Sequence, residues 1–356
     1  MGHLSISESV PLAAVSLLLL GLSLLCLFAA RRRRLRHERA AVERRALLED
    51  AIARSDASAL ALACRQARSD PDRYRDVRAL VARGLSAPAR ALLSDAAHEA
   101  GLLSTVQAQL HSSDAVTRGH AVLLIAALSA GEPALELEPL LDDADADVRL
   151  TTVRAIGELE SREGDRVLIR ALGRDAIEPD RVLEQLARPA AARELVLAMH
   201  RPESAAIRGL LAEALGLTRS LSGVATLASL VRTGSGEERL RACRALGRIG
   251  RPEVVPLLRE ALTDDTWPVR AQAARGLTGL AGRSCIAELE RALGDRAWWV
   301  RANAAEALRL AGADGIAALE RAAHGSDRFA AERARESLAL ALAHDDGRRP
   351  WLEIAA

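Results

Sequence analysis

The chain has 356 residues, of which 49% are hydrophobic but only 2% aromatic, and its formal net charge is +1. Ala and Leu dominate and strong helix formers fill long stretches, so the composition predicts an all-α protein. The sequence contains no Lys, which excludes Schiff-base chemistry and a phosphate-loop lysine.

The N-terminal segment is apolar enough to suggest a membrane anchor. Between Glu8 and Arg31 lie 22 uncharged residues, which as a helix would span about 33 Å, enough to cross the hydrocarbon core of a bilayer. We therefore predict a short extracytoplasmic N-terminus (residues 1–9) and a transmembrane helix (residues 10–30). A cleaved signal peptide is disfavoured because no Arg precedes the apolar run.

An Arg-rich juxtamembrane helix is predicted over residues 31–46. Its first arginines follow the apolar run closely: Arg31, Arg32, Arg33, Arg34 and Arg36. By the positive-inside rule they hold the C-terminal side in the cytoplasm, so we predict a single-pass protein of the bacterial inner membrane. The same arginines could also contact anionic lipid headgroups.

The rest of the chain is mildly acidic. Residues 1–45 contain eight Arg and three Glu, a balance of +5, so the remaining residues carry −4 of the net +1. This is not the charge of a general nucleic-acid binder. The four cysteines, Cys26, Cys64, Cys243 and Cys285, form no CxxC pair and no metal-ligand spacing, which favours free thiols. No metal, cofactor or small-molecule substrate is expected.

A repeat with a period of about 31 residues, a length typical of stacked structural repeats, dominates the second half of the chain. Four segments share one register: "IRGLLAEALG" from Ile207, "ERLRACRALG" from Glu238, "VRAQAARGLTG" from Val269 and "VRANAAEALRL" from Val300. The second position is always Arg and the ninth always Leu, with small residues between them that allow close helix packing. A second apolar periodicity follows each segment, so each unit is predicted to be a helical hairpin.

The pattern extends upstream to Val148 and, less closely, to Val116. It is degenerate over residues 179–206, and residues 47–115 are predicted to be helical with only a loose echo of the repeat. One hairpin cannot bury its apolar face alone. We therefore predict a right-handed α-solenoid over residues 116–340, with degenerate capping repeats at 47–115 and a tail at 341–356.

The pattern D-x-x-W-x-V-R-x-x-A-A-x-A-L resembles the short HEAT-like repeats of the phycobilisome-lyase type. The resemblance covers roughly residues 116–340 and implies an α-solenoid of stacked hairpins. The family includes scaffolds and adaptors as well as a few enzymes, so the resemblance implies the fold rather than an activity.

Aromatic residues recur at one position of the repeat, shortly before each first helix. Trp267, Trp298 and Phe329 follow one another at intervals of one repeat, and Trp299 alone breaks the pattern. The rings could cover the hydrophobic seam between neighbouring units, or they could form a stripe that a partner contacts. Trp299, which has no equivalent in the other units, is the better candidate for an exposed contact.

Carboxylates recur just before the turns. Asp264 and Asp295 share a repeat position, and we predict that they accept hydrogen bonds from helix N-termini and pair with the Arg ladder of neighbouring units. General acid–base chemistry by these two residues is the alternative.

A basic stripe lies on one predicted helical face. Arg241, Arg244 and Arg248 either receive an acidic partner or a phosphate backbone, or they are neutralised locally by carboxylates. The candidates for that neutralisation are Glu237, Glu238 and Glu260.

Enzymes built on HEAT-like repeats match this chain poorly. HEAT-like proteins of the deoxyhypusine hydroxylase type hold a metal pair with several His-Glu dipeptides at equivalent repeat positions, but only His37-Glu38 and His98-Glu99 occur here, and they are not related by the repeat. A HEAT-like DNA glycosylase is disfavoured by the acidic charge, and a bilin lyase by the lack of a distinctive nucleophile.

These patterns predict a non-catalytic, membrane-anchored cytoplasmic scaffold or adaptor that binds a protein partner. The candidate contact residues are Trp267, Trp298, Trp299, Phe329, Arg241, Arg244 and Arg248. The alternative is an enzyme or nucleic-acid-binding protein, lyase-like or DNA-glycosylase-like, on the same scaffold.

Overall fold

The computed structural model describes residues 6–129, 132–200, 204–280 and 282–345. Within these ranges the side chains of residues 6–24, 26, 29, 37, 82 and 343–345 fall outside the description. The described residues form 20 α-helices and no strand, as the composition predicts. They divide into two compact units, Met1–Pro133 and Ala134–Ala356.

The first unit contains one long helix and a series of short ones that pack against it and against one another. Polar side chains accept hydrogen bonds from first-turn amides at four of the short helices, those capped by Asp56, Asp70, Ser86 and Asp114, which satisfies donors that a helix start leaves unpaired. The helices are α1 (Ile6–Ala53), α2 (Ala57–Ala67), α3 (Pro71–Ala82), α4 (Ala87–Glu99), α5 (Leu102–Gln109) and α6 (Ala115–Leu128). A short helix, α7 (Pro133–Leu137), begins where the two units divide.

The second unit consists of helical hairpins, as the repeat predicts. Their first helices are α8 (Ala146–Glu158), α10 (Pro179–Leu186), α12 (Ala205–Thr218), α14 (Gly236–Ile249), α16 (Trp267–Gly276) and α18 (Trp298–Arg309). Their second helices are α9 (Arg162–Ala171), α11 (Ala192–Met199), α13 (Val224–Thr233), α15 (Val255–Ala261), α17 (Ile286–Ala292) and α19 (Ala313–Ala323), and α20 (Arg328–Asp345) follows the last hairpin. Residues 179–206, which depart from the sequence pattern, therefore still form a hairpin.

The first helices of the second unit stack in chain order. Each of the first helices α8, α10, α12, α14 and α16 contacts the next one, and α18 contacts α20. The small side chains at the shared repeat position, Ala212, Cys243, Ala274 and Ala305, are buried, as are the recurring leucines. This confirms the prediction of closely packed hairpins in a solenoid-like array.

The predicted transmembrane helix over residues 10–30 has to be corrected. α1 runs through these positions, but in the part of the chain that the structure describes no helix is both long enough and apolar enough to cross a membrane. α1 continues past residue 30 into the arginine cluster from Arg31 onward, and a span extended in that direction would place these charges in the hydrocarbon core at high cost. Three other predictions depended on this helix: the single-pass topology, the inner-membrane localisation and the bilayer as a partner. They are withdrawn together with it.

The predicted juxtamembrane arginines lie in the middle of α1. Arg31, Arg32, Arg33, Arg34 and Arg36 are all exposed, and two of them have partners within the helix. The Arg34 side chain donates to Glu38 at 2.9 Å, and the Arg32 guanidinium lies 5.3 Å from the centre of the Phe28 ring. Residues 1–5 and most of the predicted tail, 346–356, lie outside the described residues.

Candidate partner-binding surface

Two turns of the second unit are built around a carboxylate of the repeat. Asp264 accepts hydrogen bonds from the backbone N–H of Thr266 at 2.9 Å and from its hydroxyl at 2.8 Å. Asp295, one repeat later, accepts from the backbone N–H of Ala297 at 2.8 Å. Since these amides come directly before α16 and α18, the two carboxylates fix where both helices begin.

The same carboxylates bind arginines of the preceding hairpin. The Arg239 guanidinium donates to both oxygens of Asp264, at 2.8 and 3.0 Å, and Arg270 donates to both oxygens of Asp295, at 2.7 and 3.1 Å. Such bidentate pairs are strong and directional. The predicted Arg–Asp ladder between units is therefore confirmed.

The pairing with arginine changes the titration of both carboxylates. Burial alone would raise the pKa of Asp264, but hydrogen bonds from Arg239 and Thr266 outweigh it and lower the pKa to about 2. The pKa of Asp295 is also lowered, because the hydrogen bond from Arg270 outweighs the effect of burial. A carboxylate with a lowered pKa, already bound by a guanidinium, is a poor general base near neutral pH, so the geometry favours a structural role.

These turns place aromatic rings at the surface. Trp267 is the first residue of α16, Trp298 the first of α18, and Phe329 the second of α20. The exposed fractions are 47% for Trp267, 46% for Trp298, 58% for Trp299 and 59% for Phe329. None of the four rings is buried in the seam between units, and each keeps about half of its surface available to a partner.

Neighbouring side chains hold three of the rings. Trp298 and Trp299 meet edge to face, with their centroids 4.7 Å apart and their planes at 87°. The Arg333 guanidinium lies 4.9 Å from the centre of the Trp298 ring, and that of Arg301 lies 5.2 Å from the centre of Phe329. Cation–π contacts of this kind orient a ring without covering both of its faces.

The three tryptophans line one open groove of about 390 Å³, together with Arg270, Arg296 and Ala297. We call this the aromatic groove. It lies at the turns that precede α16 and α18, and Phe329 is on the same edge one repeat later. The register of the repeat thus brings residues from successive hairpins, distant in the sequence, onto one surface.

The three arginines of the basic stripe differ in their ion-pair partners. Arg241 donates to Glu237 at 2.7 Å and lies 3.5 Å from Glu213, and Arg248 donates to Glu213 at 2.8 Å. Arg244 faces a different groove, described below.

The prediction of which carboxylates neutralise the basic stripe was therefore only partly right. Glu237 is one of them, but Glu238 binds Arg208 and Glu260 binds Arg232. Glu213, on the preceding first helix, was missed because the pairing crosses between two hairpins.

A larger groove, of about 630 Å³, lies between α9, α11 and the start of α12, and it bears on the enzyme alternative. Its charged residues bind one another: Arg166 donates to Glu194 at 2.9 Å and to Glu163 at 3.1 Å, and Arg170 lies 3.7 Å from Glu163. Both carboxylates are engaged by guanidinium groups, which do not deprotonate in proteins. The groove therefore offers no free acid or base.

Metal binding can be assessed only for the residues that the structure describes. Among them no group of three or more His, Cys, Asp or Glu side chains is placed to hold a metal ion. The thiols of Cys64, Cys243 and Cys285 are free and buried.

Comparison with known proteins finds one family that resembles the repeat. Residues 192–275 and 261–339 match the HEAT repeats family. The repeats in this part of the chain are thus similar to HEAT repeats. The match includes every residue of the aromatic groove and the basic stripe. A comparison with curated proteins gives no match.

Several solved structures resemble the chain at low identity. Human deoxyhypusine hydroxylase in complex with glycerol is 19% identical over 67% of this chain and 95% of that chain, with a TM-score of 0.29. The complex of CpcE and CpcF of phycocyanin lyase from Nostoc sp. PCC7120 is 21% identical over 67% and 94%, with a TM-score of 0.29. Kap121p bound to Pho4p is 14% identical over 79% and 39%, with a TM-score of 0.43. Shared function does not follow from similarity at this level.

Proposed function

We propose that this HEAT-repeat protein is a non-catalytic scaffold that binds a protein partner through the aromatic groove and Phe329. The observation that carries the proposal is the exposure of Trp267, Trp298, Trp299 and Phe329, each about half accessible, on one edge of the array. HEAT-repeat arrays are helical solenoids, and stacked hairpins present extended surfaces of this kind for binding.

The chemistry of the groove suits an apolar partner segment. Tryptophan is enriched among the residues that dominate the energy of protein interfaces, and a chain with 2% aromatic residues has three of its few rings here. The edge-to-face contact of Trp298 with Trp299 and the cation–π contact with Arg333 restrict the rings before binding. Less side-chain entropy is then lost when a partner covers them.

The ion pairs at the turns before α16 and α18 also support a binding role. Arg239 and Arg270 are only 17% and 18% exposed in their side chains and are held by Asp264 and Asp295. They stiffen the turns but are not available for substrate. The aromatic groove is thus a rigid apolar surface without a reactive group, which favours binding over catalysis.

Site-specific photo-crosslinking tests the proposal. A photoreactive phenylalanine derivative is introduced in place of Trp299 in the source cells and, as a matched control, in place of Leu310. Leu310 is 48% exposed and lies at the opposite end of α18. We expect a discrete protein adduct from position 299 that is absent from position 310.

The captured protein is then purified and its affinity measured. We expect Trp299→Ala to weaken binding by roughly 30-fold or more, which is the loss typical of an interface hot spot, and Leu310→Ala to leave the affinity nearly unchanged. Equal adducts at both positions, or equal affinities for both variants, would contradict the proposed surface.

A further inference from the structure

A second groove runs between α14 and α16, on a face of the first helices. Three arginines line it, Arg244, Arg248 and Arg275, together with the side chains of Gln272 and Thr278. Its volume is about 340 Å³, and no carboxylate is among its lining residues. We call it the arginine groove.

Two glycines explain why the arginines come together here. A Cβ atom on Gly247 would lie 2.8 Å from the Cα of Gly276, and one on Gly276 would lie 3.2 Å from the Cα of Gly247. The backbones of α14 and α16 therefore approach more closely than any side chain would allow. Arg244 and Arg275 occupy the same position of successive repeats, so this close approach places like charges on adjacent helices.

The charge of the groove is only partly compensated. Arg248 binds Glu213 at 2.8 Å, whereas Arg244 and Arg275 have no ion pair or side-chain hydrogen bond among the residues that the structure describes. A guanidinium stays protonated at any physiological pH and presents its donors in a planar fork that matches a carboxylate. The Thr278 hydroxyl and the Gln272 amide add neutral donors beside the two arginines.

The positive surface ends after two repeats. On α12 the position equivalent to Arg244 is Glu213, and on α18 it is Glu306, which receives two hydrogen bonds from Arg309 at 2.8 and 2.6 Å. A nucleic-acid backbone would require a longer run of cations than this. A small cluster of carboxylates fits both the extent and the sign of the charge.

We propose that the arginine groove binds an acidic segment of a protein partner, with adjacent Asp or Glu side chains accepting hydrogen bonds from Arg244 and Arg275. This rests on the proposed function in taking the ligand to be a protein. The arginine groove and the aromatic groove share no lining residue, so the two proposals can fail separately.

Fluorescence anisotropy with the full chain tests this inference. The probes are a short labelled peptide of consecutive Glu and Asp residues, the same peptide with Gln and Asn in their place, and a labelled oligonucleotide. The groove variant is Arg244→Gln/Arg275→Gln. The control variant is Arg259→Gln/Arg291→Gln, which makes the same charge change on the second helices, where both arginines lie near Glu288.

We expect the acidic peptide to bind, with an affinity that falls as salt is raised and falls by about 10-fold or more in the groove variant, as expected for losing charge-assisted hydrogen bonds. The control variant should stay within about twofold of the unmodified chain, and the neutral peptide should not bind. Arg275 is exposed, so Arg275→Gln alone, checked by circular dichroism, provides a second variant that keeps the fold.

Three results would overturn the inference: no binding of the acidic peptide, equal weakening by both double variants, or preferential binding of the oligonucleotide that the groove variant abolishes. The crosslink from position 299 would survive each of them. A missing crosslink with intact peptide binding would instead contradict the proposed function alone.

Discussion

Two neighbouring carboxylates that share one arginine provide a sharp test of the Arg–Asp ladder between repeats. Asp264 and Asp265 both pair with Arg239. Their side chains differ in exposure, 10% for Asp264 and 81% for Asp265. We predict that Asp264→Asn destabilises the array strongly and that Asp265→Asn does not.

The magnitude follows from the titration of Asp264. Its pKa lies at about 2 instead of 3.8, and each pKa unit corresponds to about 1.4 kcal/mol of differential stabilisation. The folded state thus favours the ionised carboxylate by about 2 kcal/mol, which Asp264→Asn removes. Asp265 is solvated, and exposed pairs contribute about 0.5 kcal/mol or less.

Hydrogen exchange of backbone amides measures the loss of stability in the individual repeats. The stability of a repeat array is close to a sum over units and their interfaces, so the amides of α14 and α16 should lose protection in Asp264→Asn, while those of α2 and α4 in the first unit should not. Urea unfolding followed by circular dichroism gives the global counterpart. If the two variants lost the same stability, or if Asp264→Asn lost none, the Arg–Asp ladder would not be what joins these repeats.

Three further predictions concern the acid stability of the array, the contact between two glycines and the reactivity of a thiol. Because the pKa of Asp264 is lowered on folding, its contribution is complete above about pH 4 and is lost as the pH falls through about 2, so Asp264→Asn should flatten the acid limb of a stability–pH curve. Gly247→Ala should cost roughly 1–3 kcal/mol in urea unfolding, because its Cβ would meet the Gly276 backbone at 2.8 Å, whereas Gly119→Ala, with open space around it, should gain up to about 1 kcal/mol. Burial and the nearby Asp264 charge raise the pKa of Cys243 to about 12, so iodoacetamide at pH 8 should alkylate this thiol only after unfolding; rapid labelling of the native chain would contradict the packing.

The repeat register made most of the second unit predictable. A constant period with fixed Arg and Leu positions and small residues between them determines which residues face a neighbouring hairpin, because every unit must bury the same face. The pairing of Arg270 with Asp295 and the burial of Cys243 both follow from this rule. The rule also applies to Arg275, which stands one repeat after Arg244 and was overlooked because the stripe was read along one helix only.

Exposure and pairing between elements were harder to predict. A ladder of rings at one repeat position is compatible with a packed seam or with an open surface, and only the distance between adjacent turns decides between them. Arg333 lies outside the recurring positions, so nothing in the register predicts its contact with Trp298. The prediction of a membrane helix rested on the apolar run over residues 10–30, and it was wrong because no helix in the described part of the chain is both long enough and apolar enough to cross a membrane.

The positions of the two proposed grooves constrain the spacing of contact residues in a single partner that binds both. α16 begins at Trp267, in the aromatic groove, and carries Arg275, in the arginine groove, eight residues later. At 1.5 Å per residue these positions are about 12 Å apart along the helix axis, a distance that an extended chain covers in about four residues. A single segment could therefore reach both grooves only if its apolar anchor and its acidic cluster were at least about four residues apart. The two contacts would then reinforce each other through an effective concentration that decreases gradually as the spacing grows, whereas a partner with a shorter spacing would have to use the grooves one at a time.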